Sequence, residues 1–313
     1  MSGTEIAMTD SPQRCVACGG AVAQPVRDGL RDYEYGSAWT GAIRGCASCG
    51  LVHHAPMPTR EQALAFYPDG YMHYNPPRSR VRAALMNLYV GRIVRGFSAL
   101  GARPGQRLVD VGCAAGEKLA LLRDRLGFEV LGVEPNGYAV EQARKLYGLE
   151  VVAGTFPNEH VAPESADFVQ INHVIEHDPD PVALLDHIYT ALKPGGWVIG
   201  ETENIGCLSY RLFGRYWSLL HLPYHLLFFT PETLRGVFAR SRFGTVEIAS
   251  QTDAPAWSLS IQNWLRRDQP PGAGVTRRMP GFLPVSVACV PLSWLEAGNG
   301  PILRFHARKP PLA

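Results

Sequence analysis

Three groups of residues in this 313-residue chain have the types and the spacing to do chemistry. Asp110-Val111-Gly112-Cys113-Ala114-Ala115-Gly116 is an apolar run that breaks into a glycine turn, and Glu134 follows 24 residues after Asp110. At the first turn of a doubly wound sheet the backbone must come close to a ligand, and a carboxylate ending the second strand can accept both hydroxyls of a ribose. A nicotinamide enzyme would favour Gly-x-Gly-x-x-Gly, which Gly112, Ala114 and Glu117 do not supply.

Cys15-Val16-Ala17-Cys18 and Cys46-Ala47-Ser48-Cys49 form two CxxC pairs with 27 residues between them. Each tight turn can present two thiolates, and two turns complete a tetrahedral shell with no open position. Cys15, Cys18, Cys46 and Cys49 are therefore expected to hold a structural Zn2+. A redox pair explains one CxxC but not two. Cys113, Cys207 and Cys289 are spaced too irregularly for a second site and read as small buried residues.

Histidine forms the third group. His173-Val174-Ile175-Glu176-His177 matches the H-x-x-E-H pattern of inverted zinc peptidases, but that pattern requires a helix. Here an expected strand precedes it and Asp178-Pro179-Asp180-Pro181 ends it. His221 and His225 stand in a second segment, His221-Leu222-Pro223-Tyr224-His225. A histidine with a pKa near neutrality can take a proton from an alcohol or a carbon acid, and each of these can equally be a structural hydrogen bonder.

The elements that must position these groups change character along the chain. Residues 1–58 are rich in Gly and Cys, with strand-like pieces such as 38–44, which suits a small metal-stapled module. Thr59-Arg60-Glu61-Gln62 matches a capping box opening a short helix, and 79–100 reads as a longer helix with Val81, Leu85, Leu88, Ile93, Val94 and Phe97 on one stripe. From residue 106 strands are expected at 107–112, 128–133, 150–153 and 167–172, with helices at 117–126, 137–147 and 181–192. The turn Lys193-Pro194-Gly195-Gly196 leads into a strand at 197–201. Thr230-Pro231 starts a helix over 232–240, and 243–251 and 302–307 supply the last strands. Such alternation implies right-handed crossovers and a mostly parallel sheet covered on both faces. Residues 252–300, rich in Pro, Gly and Trp and without a clear period, read as an insertion over the active site.

The turn from Asp110 to Gly116, Glu134, and the Leu192-Lys193-Pro194-Gly195-Gly196 turn resemble the class I S-adenosylmethionine-dependent methyltransferases, over about residues 80–250. The likeness is greatest to bacterial members with a preceding arrangement of Cys pairs, a Phe-Tyr-Pro-x-x-Tyr segment, here 66–71, and a Leu-Pro-x-His-Leu segment, here 222–226. The resemblance implies an α/β, doubly wound, Rossmann-like fold with a seven-stranded mostly parallel sheet behind the zinc-ribbon-like module. It also implies transfer of the methyl group to a hydroxyl or carbon of a small-molecule acceptor, a secondary metabolite, sugar or quinone-like compound, with release of S-adenosylhomocysteine. By the same resemblance S-adenosylmethionine would be held by Asp110, Gly112, Ala114, Gly116, Glu134 and Pro135. Thr155 and Phe156 would border the adenine, and Asn172 and His173 would face the sulfonium. The family usually has glycine at Ala114, where an extra methyl tightens the approach to the methionine part.

Methyl transfer from a sulfonium is an in-line displacement, so the protein chiefly supplies alignment and a dry pocket. His225 is the preferred base, because the family segment carries a histidine there, with His221 second and His177 in the loop after the fourth strand. Tyr71, Tyr74 and Tyr224 would line the acceptor pocket or pack. Some ubiquinone-pathway O-methyltransferases hold a divalent ion on a Glu/His cluster like this one, but His173 stands where their first carboxylate would be.

Composition bounds these readings. With 46% hydrophobic and 19% charged residues and a formal charge of +2, the chain is that of an ordinary globular enzyme, without the concentrated basic face of a nucleic-acid binder. No run is apolar enough for a signal peptide or a spanning helix, so a cytoplasmic protein without a membrane partner is expected, and a homodimer stays open. The expected organisation is a module at 1–58, a helical linker or cap at 59–105, a cofactor-binding core at 106–251, and the insertion with a final strand at 252–313. The rival reading makes the cysteine module a ribbon for RNA or protein, with the remainder modifying a macromolecule or only binding the cofactor.

Overall fold

The computed structural model of the protein describes residues 14–33, 39–67, 80–268 and 281–312; Tyr71 and Tyr74 lie outside them. Strands β1 (Val22–Arg31), β2 (Thr40–Cys46) and β3 (Val52–Ala55) come first, followed by helices α1 (Arg60–Ala65) and α2 (Arg80–Ala99). Then β4 (Arg107–Val111), α3 (Glu117–Leu126), β5 (Glu129–Glu134), α4 (Gly137–Tyr147), β6 (Val151–Ala153), β7 (Ala166–Asn172), α5 (Pro181–Ala191) and β8 (Leu192–Glu203) alternate. The chain continues through α6 (Leu208–Phe213), β9 (Leu227–Phe228), α7 (Pro231–Phe238), β10 (Glu247–Gln251), α8 (Ala254–Leu265), α9 (Phe282–Ala288), α10 (Val290–Ser293) and β11 (Ile302–Arg308).

Seven strands form the expected Rossmann-like sheet in the order β10-β11-β8-β7-β4-β5-β6. β4 pairs in parallel with both β5 and β7, and β5 with β6. The strand order therefore reverses at β4, and the crevice at its carboxyl end is the place where a doubly wound sheet takes its ligand. A second sheet, β1-β2-β3-β9, is antiparallel throughout, and its fourth strand comes from the C-terminal half of the sequence.

The chain divides into two compact units. One comprises Met1–Pro68, Ile175–Ala183 and Glu201–Phe305, the other Asp69–Val174, Leu184–Gly200 and His306–Ala313. In the second unit the core gathers Val90, Ile93 and Phe97 of α2 with Leu108, Leu119, Phe128 and Phe168. Phe97, Phe128 and Phe168 meet ring to ring at 5.1–5.6 Å, within the range where aromatic pairs attract beyond their burial. In the first unit Leu30, Ile43 and Val52 of the antiparallel sheet pack with Trp217, Leu220 and Phe228.

Local chemistry sets the helix ends. Thr59 and Gln62 form the expected capping box on α1, and Thr230 with Pro231 at the first helical position starts α7. Two expectations are corrected, and one segment without a clear period gains its elements. Leu85 and Leu88 of the expected α2 stripe are exposed, while its Ile93 and Phe97 are buried and Val90 joins them. The Lys193–Gly196 turn belongs to β8, since the Gly195 N–H donates to Lys309 O at 3.0 Å and the Lys309 N–H to Gly196 O at 2.9 Å, holding it in a ladder. Residues 252–300 carry helices α8 to α10, whose buried positions are largely small or polar, Ala256, Ser258, Ser260, Asn263 and Ser286 among them. No apolar period could reveal them. Among the described residues no helix is long and apolar enough to cross a membrane.

Candidate functional site

β4 ends at a turn that only glycine fits at two places. Gly112 lies at φ +71, and a Cβ there would come within 2.9 Å of the Val174 side chain; Gly116 lies at φ +78, where a Cβ would sit 2.5 Å from Leu149. Between them Ala114 also adopts the left-handed region, at φ +48, a conformation an L side chain enters only at a cost of about 1 kcal/mol. Its N–H donates to Glu134 Oε2 at 2.9 Å, while the Asn136 N–H donates to Glu134 Oε1 at 2.9 Å. The carboxylate that ends β5 is thus aimed by two backbone donors.

Asp110, one strand away, is buried and accepts from Gln170 Nε2 at 2.8 Å through Oδ1, yet its Oδ2 is buried with no hydrogen-bond partner. A buried carboxylate oxygen without a donor is costly, and a polar ligand in the crevice relieves it. Burial pushes both acids up: Glu134 to about 7, against the pull of its two backbone donors, and Asp110 upward despite Lys118 and Gln170. Two buried acids ending adjacent parallel strands, a cradle that a Cβ would fill and an orphaned oxygen fit the nucleoside end of S-adenosylmethionine. The remaining expected contacts lie on the same unit: Pro135 exposed after β5, Thr155 half-buried, Asn172 closing β7 half-buried, and His173 exposed at φ +54. Phe156 is buried. Gln170 was not foreseen; its signal is a polar residue inside the apolar run from Phe168 to Ile171.

The four cysteines come together as their spacing demands. Their sulfurs all lie within 4.8 Å of one another, with Cys15 to Cys49 and Cys18 to Cys46 at 3.5 Å. Tetrahedral thiolates about 2.3 Å from zinc stand about 3.8 Å apart, so the donor set fits that ion closely. Burial alone would push the Cys46 thiol up, but the Cys49 and Ser48 N–H groups outweigh it and bring the group down to about 7. His53, on β3, was missed: its Nε2 lies 3.3 Å from Cys15 Sγ, and burial holds it down at about 4, a neutral ring able to donate to sulfur.

A third cluster sits in the same unit as the cysteines. Ligand atoms of Glu176, His177 and His225 lie within 4.8 Å of one another. The sequence Ile175–His177 is a single 3-10 turn rather than the helix a zinc peptidase needs. His177 Nδ1 is 2.8 Å from the Tyr224 carbonyl and 2.9 Å from the Tyr67 hydroxyl. His225 Nδ1 is 3.1 Å from the Leu219 carbonyl and 3.6 Å from Glu203 Oε2. A carbonyl can only accept, so both rings carry their proton on Nδ1 and direct the Nε2 lone pair elsewhere. Glu176 is buried and accepts from Thr202 Oγ1 at 3.0 Å. His221 adopts φ +41, and its ring lies tilted against those of His225, with centres 4.9 Å apart, and Tyr224, at 4.8 Å. The structure thus brings together His177, His221, His225 and Tyr224, and adds Tyr67, Glu176, Thr202 and Glu203.

Comparison with known proteins adds a family. A family model described as a methyltransferase domain matches residues 82–248. The ubiquinone biosynthesis O-methyltransferase of Albidiferax ferrireducens is 34% identical over 116 residues, 34% of this chain and 45% of that protein. That of Nitrobacter winogradskyi is 31% identical over 180 residues, 53% of this chain and 68% of that protein. The chain spans about half the length of the first of these relatives. Among solved structures, a Haemonchus contortus phosphoethanolamine N-methyltransferase with S-adenosylhomocysteine superposes with a TM-score of 0.52 at 16% identity. That match covers 83% of this chain and 63% of that one, a likeness of fold alone.

Proposed function

The chain belongs to the methyltransferase-domain family, and from that premise we propose that it transfers a methyl group from S-adenosylmethionine to a small-molecule acceptor, at a hydroxyl or an acidic carbon. The observation that carries the reading is the β4 crevice, where Asp110 keeps a buried oxygen without a donor beside a Glu134 aimed by two N–H groups. In this reading Glu134 accepts the ribose hydroxyls, the glycine turn lets backbone approach the amino-acid part, and Asp110 Oδ2 takes a donor from the ligand or from a water between them. S-adenosylmethionine, when bound, supplies an electrophilic methyl on a sulfonium. The acceptor supplies the electron pair and its proton must leave. His225 is assigned as the base that takes it on Nε2, with the Leu219 carbonyl fixing the tautomer through Nδ1 and Glu203 Oε2 3.6 Å from that same nitrogen. His177 and His221 are assigned to hold His225 and the acceptor. The ubiquinone-pathway names of the relatives support a hydroxyl on an aromatic ring as the first acceptor to try.

The test is incubation with methyl-labelled S-adenosylmethionine and catechols, simple phenols or a metabolite extract, with identification of the labelled product. Label should move to a small molecule, and His225→Ala should lower turnover on the order of a hundredfold or more while cofactor affinity holds. Failure to bind the cofactor at all would remove the proposal.

A further inference from the structure

The unit that holds the histidine cluster also holds a cleft, bordered by Arg31 and Tyr33, by Arg215 and Trp217, by His221, and by Asn263 of α8. Its volume is about 450 Å³ with the open mouth included, within the range that takes a small molecule. His221 belongs to both places, since its ring lies 4.9 Å from that of His225. A molecule seated in the cleft therefore reaches a side chain that touches the assigned base.

Hydrogen bonds fix the walls. Three tie α8 to the chain just before His221: the Ser218 N–H donates to Ser260 Oγ at 3.0 Å, Ser218 Oγ to Ala256 O at 3.0 Å, and Asn263 Nδ2 to Tyr216 O at 3.1 Å. At the end of β1 the Arg31 guanidinium lies 4.6 Å from the Tyr33 ring centre and donates from Nη2 to Arg267 O at 2.5 Å. The group is held in place with donors to spare. Arg215, in the 3-10 turn Gly214–Tyr216, is exposed, and its Nη1 would lie 3.8 Å from a Cβ at Gly29, so it reaches back over β1. Among the described residues Arg44, Arg60, Arg123, Arg267 and Arg304 are each ion-paired with an acid, whereas Arg31 and Arg215 are not. Asp32 is the one carboxylate bordering the cleft, and it is buried. Two guanidinium groups against one buried carboxylate leave the cleft cationic.

We infer that the methyl acceptor is an anion, whose carboxylate or phosphate is held by Arg31 and Arg215 while the rest of the molecule runs along the cleft to His221. The inference rests on the proposed methyl transfer for the role of that molecule, and on the two arginines for its charge. A guanidinium presents parallel N–H donors that match two oxygens of either group, which a lysine ammonium does not. The anion takes no part in bond making. It sets how far the acceptor hydroxyl extends towards the histidines, so a ring that carries such a group is preferred over the same ring without it.

The experiment is calorimetric titration of the full chain with catechol, 3,4-dihydroxybenzoate and phenyl phosphate, with and without S-adenosylhomocysteine, followed by label transfer from S-adenosylmethionine to the two catechols. At least one anion should bind about tenfold tighter than catechol, and which of them does so separates carboxylate from phosphate. Arg215→Gln, at an exposed position, and Arg31→Gln should each bring that ratio towards one, while Arg31→Lys keeps part of it. In label transfer the loss should fall on KM for the anion more than on kcat. Equal affinity for all three compounds, no binding by any of them, or a preference that survives both glutamine substitutions would overturn the proposal. Arginine-dependent binding of an anion with no label transfer would support the anion site and count against the proposed reaction, so the two failures are told apart.

Discussion

Glu134 is the residue whose titration is readable from outside. Burial raises its acid into the neutral range, so the folded protein holds a proton that the unfolded chain has released. The stability this group contributes to the ligand-free fold is present below the ordinary carboxylate range and is lost as pH rises through about 7. Ribose hydroxyls donate, and so favour the carboxylate. Cofactor affinity should therefore rise between pH 6 and 8, and calorimetry at both values checks it. Glu134→Ala should remove the pH dependence and weaken binding by about a hundredfold, two hydrogen bonds to a charged group; an unchanged affinity removes the ribose assignment. At this scale much was legible, because glycine and acid residues at a strand end have few alternative uses. Gln170 and His53 were not, since a single polar residue in an apolar strand looks the same whether it faces a ligand or packs.

At the scale of elements the cysteine pairs show how spacing becomes geometry. Cys15 and Cys18 precede β1, while Cys46 closes β2 and Cys49 precedes β3, so the sheet register brings the two turns together. Metal analysis should return about one zinc per chain, and Cys46→Ser should lose it. Retention of full zinc by that variant would disprove a four-thiolate site. The α7 cap offers a second check: Thr230→Ala should cost about 1 kcal/mol in denaturant unfolding, because Thr230 Oγ1 accepts the Thr233 N–H at 3.3 Å. Strands β4 to β7 and their helices were legible from the alternation of apolar runs with glycine turns. The helices of 254–296 were hidden, because apart from Ala256 and Trp257 their buried positions are serine, cysteine, asparagine and glutamate, which no hydrophobic period marks.

At the scale of the whole molecule, the aromatic trio ties α2 to the parallel sheet of its own unit. Phe168→Ala, which empties a side chain buried against Phe97 and Phe128, should cost about 3–5 kcal/mol, measured as a lower denaturation midpoint. The histidine cluster belongs to the other unit although His177 follows β7 by only five residues. The family resemblance named His177 and His225 together as candidate bases, but the residues joining them, Glu176, Tyr67 and Glu203, come from separate stretches that no single motif marks.

The antiparallel sheet closes only when β9, beginning at Leu227, reaches β3, which ends at Ala55. On a ribosome adding about 5–20 residues each second, the first three strands emerge some ten to thirty seconds before the strand that borders them. During that interval the edge of β3 stands open to any extended chain nearby. A metal held by Cys15, Cys18, Cys46 and Cys49, all made before residue 50, would clamp the nascent hairpin and shorten its exposure to misassembly.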